Sequence, residues 1–325
     1  MTENSPPAMT DQVPLITGDR LRRLLGPRQA VQAVVDALRD GLDPAAGPAR
    51  TVVPTAHGHL LLMPAESGAH AGVKVVSVAP DNPAHGRPRI QGFYLLFDAR
   101  SLSPVALIDG IALTTVRTPA VSVAAVLPLL RRTRDPLRVA VFGAGPQGRG
   151  HVDTLLGALS GHRPLAEVTY LVRDPRRTEV PGHGAVPVTV AASGGTGATR
   201  AVSRAHVVVC ATTAREPLFD SAVLHDRAVV IAVGSHEPGA REVDGALTGR
   251  AHVVVDDVAT ALREAGDIIQ AIREGHAEEA RLIPMRRIVT DPDSVDLDRP
   301  VLFKSTGMSW QDLVVAAAAY ERLDG

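Results

Sequence analysis

From Arg28 to Gly41 the segment RQAVQAVVDALRDG repeats its apolar residues at helical spacing and stops on a glycine, which predicts a helix. The apolar runs then shorten and alternate. RTVVPTAHGHLLLMP, GVKVVSVAP and GFYLLFDARSLSPVALIDG predict strands, the last of them as two strands around a polar turn. In LTTVRTPAVSVAAVLPLL, Thr118 suits a helix N-cap and Pro119 the first helical position, so a helix is predicted to begin there with Arg117 just ahead of it. The arginine-rich RRTRDP then reads as a hinge. This half is helix plus mixed sheet, an α+β texture.

From Leu137 the pattern changes to short, almost wholly apolar strands, each followed by a polar or helical stretch: RVAVFGAG, VTYLVRD, VPVTVAA, AHVVVCATT, AVVIAVGS and HVVVDD. Strands that apolar are covered on both faces, as in a parallel sheet with crossover helices. The fold class expected is therefore α/β, a Rossmann-type doubly wound parallel sheet plus an α+β domain. The boundaries expected are 1–132 for the first domain and 133–302 for the dinucleotide-binding domain, with 303–325 ending in an amphipathic helix that packs back on the first.

Composition narrows the partners. A chain of 325 residues accommodates two domains. A net charge of −1 gives no field to steer it toward nucleic acid or an anionic membrane, so a small-molecule partner is expected. The N-terminal MTENSPPAMTDQVP is polar and proline-rich and reads as a loose tail, and no segment reaches the 18 or so uncharged apolar residues of a membrane span. The one cysteine, Cys210, sits in an apolar run, where it builds neither a disulfide nor a metal site. The cytoplasm is the expected compartment.

Gly143, Gly145 and Gly148 form G-x-G-x-x-G directly after a strand and at the start of a helix. The first glycine permits the turn, the second lets backbone approach a pyrophosphate, and the third lets helix and strand pack closely, so a dinucleotide is the expected ligand. At the end of the next strand, LVRDPRR offers Arg173, Asp174, Arg176 and Arg177 to the ribose. A carboxylate there suits the 2′-hydroxyl of NAD and an arginine suits the 2′-phosphate of NADP; the balance favours NADP, with NAD left open. Two further cations stand out. Arg117 joins a forked cation to the expected positive end of a helix. Lys74 interrupts the apolar GVKVVSV with no acid within four residues, which suits either a functional cation or an edge-strand gatekeeper. Met63 reads as core packing. His236 follows the strand AVVIAVGS, and ligands in open α/β sheets sit beyond the carboxyl ends of strands.

Taken in order, ARTVVPT, LLMPAES, GVKVVSVAPDNPAHGRPRIQGFYLLFD, LIDGIALTTVRTPAVSVAA, VFGAGPQGRGH, VGSHEPGAREVD, EAGDI and FKSTGMSWQDL resemble the ornithine cyclodeaminase/mu-crystallin family. The resemblance runs from Arg50 to the C-terminal helix. It implies a nicotinamide-dependent enzyme whose first domain carries the substrate and pairs with a second subunit in a homodimer. It places a substrate carboxylate near Arg50, Lys74 and Arg117, with Met63 in the substrate pocket, and assigns catalysis to Lys74 and the position of His236. Cofactor contacts fall on Arg117, Pro146, Gln147, Thr212, Ala232, Val233, Gly234, Ser235 and Ser305. The sequence departs from the family at Arg89, where many members have threonine, and at His236, where cyclodeaminases and alanine dehydrogenases have a proton-shuttling aspartate that mu-crystallin-like reductases also lack. At the shuttle position an imidazole can donate a proton to the nitrogen as hydride reaches carbon, so His236 is the expected proton donor, with Glu237 as the alternative acid. The expected activity is reduction of a C=N bond in a small carboxylate-bearing imine, or in one formed from a keto acid and an amine. Cyclodeamination of ornithine and a non-catalytic NADP-binding role are the alternatives.

Overall fold

The structure is a computed structural model that describes residues 13–323. The first part of the chain forms β1 (Leu15–Ile16), α1 (Gly18–Leu24) and α2 (Pro27–Arg39). Five longer strands follow: β2 (Thr51–Thr55), β3 (Gly58–Ser67), β4 (His70–Val78), β5 (Ile90–Asp98) and β6 (Pro104–Asp109), then the long α3 (Gly110–Leu130). Next come β7 (Leu137–Phe142), α4 (Pro146–Leu159), β8 (Leu165–Val172), β9 (Val188–Ala192), α5 (Thr196–Arg204), β10 (Val207–Cys210) and β11 (Val229–Ala232). The chain continues with α6 (Gly245–Arg250), β12 (His252–Val255), α7 (Val258–Glu264), α8 (Gly266–Arg273), β13 (Ile283–Pro284), α9 (Met285–Thr290), β14 (Val301–Lys304) and α10 (Ser309–Tyr320).

Two compact units result. The first joins the described residues up to Gly26 with Gly47–Arg117 and the chain from Met308 onward. Its six-stranded sheet runs β1-β6-β5-β4-β3-β2. The strands from β2 to β6 pair antiparallel, and the apolar alternation along them separates two faces. One face buries Met63, Tyr94, Leu96 and Ile108 and is covered by α10. The second unit, Pro27–Ala46 with Thr118–Gly307, holds an eight-stranded sheet in the order β13-β12-β14-β11-β10-β7-β8-β9, parallel throughout. Counted from the β9 edge, β9-β8-β7-β10-β11 have the 3-2-1-4-5 order of the doubly wound dinucleotide fold, which reverses between β7 and β10, and β14 takes the place beside β11. The α/β class is as expected, and all six predicted strands are present. Cys210 ends β10 wholly buried, its thiol pushed well up by burial.

The boundaries differ from the sequence expectation in four places, the first being the break between the units, which falls after Arg117 and not after Arg132. The α2 segment belongs to the second unit, because its stripe of Ala30, Val31, Val34 and Leu38 is buried on helices of that unit and Arg28 donates to the carbonyls of Gly157 and Ser160. Phe303 and Lys304, expected in the tail that returns to the first domain, instead complete the central strand Val301–Lys304 of the parallel sheet, and the first unit resumes only at Met308. Further, α3 begins at Gly110 rather than after Thr118, since the Asp109 carboxylate already accepts from the amides of Ile111 and Ala112. Pro119 therefore lies inside the helix, where a proline costs about 3 kcal/mol, and the burial of residues 119–127 offsets it. Arg117 is thus two turns into α3, not at its positive end. The same helix is long and apolar enough to span a membrane, but it carries Arg117 and is 78% buried inside the protein. The final helix is buried on nearly all sides rather than amphipathic.

Candidate carboxylate and dinucleotide sites

In the first unit the strand register places Met63, Lys74, Tyr94, Ile108 and Ile16 in one row across the sheet, on the face under α10. Lys74 is 4% exposed. Its Nζ donates to Asp312 Oδ2 at 2.7 Å, while Arg117 Nε donates to Asp312 Oδ1 at 3.2 Å and Arg117 Nη1 to Gln311 Oε1 at 2.8 Å. Asp312 and Gln311 are wholly buried in the first turn of α10. Neither bond of Arg117 uses Nη2. Burial pushes the Lys74 ammonium down to about 8, helped by the Arg117 and Arg50 charges and opposed by Asp312. The Tyr94 hydroxyl is buried without a protein partner, and burial first, then the Asp312 charge, pushes its pKa up. Gly72 is required beneath it, since a Cβ there would lie 2.3 Å from the hydroxyl.

Two buried cations, Lys74 and Arg117, therefore share one carboxylate, and charges in a buried site need partners. The surplus suits an incoming anion, and the forked guanidinium suits a carboxylate in particular. The structure brings Arg50, Met63, Lys74 and Arg117 into one cluster. Arg89 is exposed ahead of β5 and is not among the groups that shift Lys74. Sequence reasoning missed Asp312, Gln311 and Tyr94. The partner of Lys74 is 238 residues away, so a search of its neighbours along the chain could not find it. The available signal was an acid inside the otherwise apolar SWQDLVVAAAAY.

In the second unit the glycine turn links β7 to α4. Gly143 has a φ of +96°, and a Cβ on it would lie 2.6 Å from the carbonyl oxygen of Ala211. A Cβ on Gly148 would lie 2.0 Å from the Gly143 carbonyl oxygen. Gly145, the N-cap of α4, faces open space, with Pro146 and Gln147 opening the helix behind it. Helix amides behind a residue with no side chain fit a pyrophosphate. Arg149 ties the turn to the loop after β8, donating to the carbonyls of Ala144 and Glu179 at 2.7 and 2.6 Å. That loop begins with Arg173, exposed, and Asp174, whose carboxylate accepts from the Arg176 amide and lies 3.6 Å from Arg177.

Thr212 follows β10, Val233, Gly234 and Ser235 follow β11, and Ser305 follows β14, so all lie at carboxyl ends of adjacent strands. Their hydroxyls, however, are turned inward. Thr212 Oγ1 donates to Glu242, Ser235 Oγ to Asp267, and Ser305 Oγ to Asp256. These positions consequently offer a ligand backbone more readily than hydroxyl. His236 is exposed in the loop after β11, and Glu237 beside it pairs with Arg215 at 2.9 Å.

A parallel sheet of this order, with a glycine turn after β7, defines a dinucleotide-binding protein of the Rossmann class. The ornithine cyclodeaminase/mu-crystallin family model matches residues 22–325, and the chain belongs to that family. It is 30% identical over 336 residues to a Delta(1)-pyrroline-2-carboxylate reductase of Bacillus cereus, covering 95% of this chain and 96% of that protein. It is 31% identical over 283 residues to the ketimine reductase mu-crystallin of Rattus norvegicus, covering 84% of each. Among solved structures, the Delta(1)-pyrroline-2-carboxylate reductase of Thermococcus litoralis in complex with NADH and L-proline superposes with a TM-score of 0.82 at 27% identity, covering 95% of this chain and 96% of that one.

Proposed function

We propose that the protein reduces the C=N bond of a small, carboxylate-bearing imine, cyclic imines first, with a nicotinamide cofactor. The observation that carries this reading is the buried Lys74–Asp312–Arg117 cluster, which combines a proton donor with a carboxylate clamp. The nicotinamide, held by the glycine turn and the strand ends of the second unit, supplies the hydride when bound. Arg117 and Arg50 hold the substrate carboxylate. Lys74, protonated below about pH 8, gives its Nζ proton to the imine nitrogen as that nitrogen takes up the electron pair of the broken π bond. Asp312 keeps the proton on Lys74 until it is needed. His236 has exposure and position in its favour but no comparable burial, so the principal donor is Lys74. The test is cofactor consumption against cyclic imines, keto acids with amines, and ornithine. Ornithine turnover without net consumption would instead favour the cyclodeaminase reading.

The cofactor we assign first is NADPH. The Asp174 carboxylate is occupied by the Arg176 amide and the nearby Arg177, which reduces its repulsion of a 2′-phosphate and leaves Arg173 to bind one. Arg173→Ala is expected to weaken NADPH about ten- to a hundredfold and NADH hardly at all, read by fluorescence titration of each. Equal losses would remove Arg173 from the phosphate site.

A homodimer is the assembly we assign. The face of the six-stranded sheet away from α10 carries Leu15, Leu62, Val73, Val75, Phe93 and Leu107, with Phe93 49% exposed. A contiguous apolar face of this kind marks an interaction site. Phe93→Asp, which sets a charge at its middle, is expected to convert a dimer to a monomer in light scattering. A monomeric wild type, or a dimeric variant, would contradict the assignment. Buried Cys210 suits a reducing cytoplasm.

A further inference from the structure

We infer that Glu242 is a positioning residue for the nicotinamide half of the cofactor, acting by clamping the carboxyl ends of β10 and β11 together; this rests on the cofactor reading above. Its two oxygens serve two strands. Oε1 accepts from the Thr212 amide at 2.8 Å and from Thr212 Oγ1 at 2.7 Å, and Oε2 accepts from the Gly234 amide at 2.7 Å. Between them there is no room for a side chain, since a Cβ on Gly234 would lie 2.1 Å from the Thr212 carbonyl oxygen and 2.5 Å from Glu242 Oε1. One carboxylate thus bridges the two chains just beyond their last backbone bond, from the Val233 amide to the Cys210 carbonyl at 3.0 Å.

That carboxylate is itself held. Asp267 Oδ1 accepts from the Glu242 and Val243 amides at 2.7 and 3.0 Å, and its Oδ2 accepts from Ser235 Oγ at 2.8 Å and from Lys304 Nζ at 2.7 Å. Lys304, the last residue of β14, also donates to the Ser235 carbonyl and hydroxyl at 2.7 and 2.8 Å. One buried network therefore joins the ends of three adjacent strands, β14, β11 and β10. Two carboxylates and one ammonium with no solvent access are costly to keep for stability alone, and apolar residues of similar volume often serve as well or better. What the network supplies is placement. In a doubly wound fold each half of the sheet binds one half of the dinucleotide. Here the glycine turn and Asp174 belong to the β7-β8-β9 half and the Glu242 network to the β10-β11-β14 half. With Thr212 and Ser235 spending their hydroxyls internally and the Thr212 and Gly234 amides bound to Glu242, the carbonyl groups of the backbone that Glu242 fixes are what remains for the nicotinamide.

The two halves give a readout that a merely structural role would not move. Titrations compare NADPH with ADP, which has the adenosine and a pyrophosphate but no nicotinamide. In Glu242→Gln an amide NH₂ must face either the Gly234 or the Thr212 donors, so NADPH is expected to weaken about tenfold or more while ADP stays within about twofold of wild type. Glu242→Asp, which keeps both acceptors on a shorter stem, is expected to recover part of the loss. Thr212→Val, which removes one of the three bonds and leaves the carboxylate in place, is expected to shift NADPH the same way by less. It serves where Glu242→Gln is insoluble. Equal weakening of both ligands, or of neither, would overturn the positioning role alone. A wild type that binds neither NADPH, NADH nor ADP would overturn the cofactor reading and this inference with it.

Discussion

Replacing Lys74 by methionine is expected to lower kcat/KM for imine reduction by about 10²- to 10⁴-fold, the range supplied by a positioned general acid. Methionine keeps the length and apolar stem, and Asp312 keeps Arg117 as partner, so the fold should survive with cofactor affinity little changed. The direction of the lysine's shift adds a pH signature. With the ammonium pushed down to about 8, reduction by the wild type should be level below that pH and fall above it as the donor loses its proton. The reverse oxidation, which needs neutral Lys74 as base, should rise over the same range. In Lys74→Met both limbs should vanish. His236→Ala, by contrast, should lower kcat by less than about tenfold, since water or Lys74 can supply its proton. A large loss in His236→Ala with little in Lys74→Met would transfer the role of donor to the histidine.

The second large effect is on stability. Asp267→Ala should lower stability by about 3–5 kcal/mol, because it strands the wholly buried Lys304 ammonium and leaves the amides of Glu242 and Val243 without their acceptor. For units of this size that corresponds to a fall in Tm of about 6–20 °C. The sign of the pH dependence follows from the carboxyl. Burial alone would raise its pKa, but the Lys304 charge and the hydrogen bonds outweigh burial and hold it below the usual carboxylate range. The unfolded chain thus binds this proton more readily than the folded one. The stabilisation is complete above about pH 4 and is lost as the pH falls through the lower folded value, so wild type and variant should converge in acid. A variant within about 1 kcal/mol of wild type at neutral pH would mean that the pair is hydrated or dispensable.

The parallel sheet was legible because its strands are continuous apolar runs, a pattern that solvent-facing strands do not share. The glycine turn was legible because its three glycines meet three distinct steric demands, and the structure shows each. The start of α3 was misread for a physical reason. Thr118-Pro119 carries a helix-start signal, but Asp109 caps the helix two turns earlier and burial absorbs the proline. Arg50 emerged through family resemblance alone, Lys74 was ambiguous on its own, and Arg117 stood out from the residues, though for a helix end that it does not occupy. What no local pattern could supply was the pairing of charges. Lys74 with Asp312, and Lys304 with Asp267, are separated along the chain and joined only by packing. Lys74, Lys304 and Asp312 are each lone ionisable residues in apolar segments, and such residues need partners that the fold, not the neighbouring sequence, provides.

Reaction stoichiometry distinguishes reduction of a C=N bond by this chain from cyclodeamination. Purified protein is supplied with NADPH or NADH and a five- or six-membered cyclic imine carboxylate, and in parallel with ornithine and oxidised cofactor, while nicotinamide absorbance, ammonia and the amino-acid product are followed. The expected result is one reduced cofactor consumed for each cyclic amino acid formed, with no ammonia. Conversion of ornithine to proline and ammonia at unchanged nicotinamide absorbance, with the imines left intact, would contradict it.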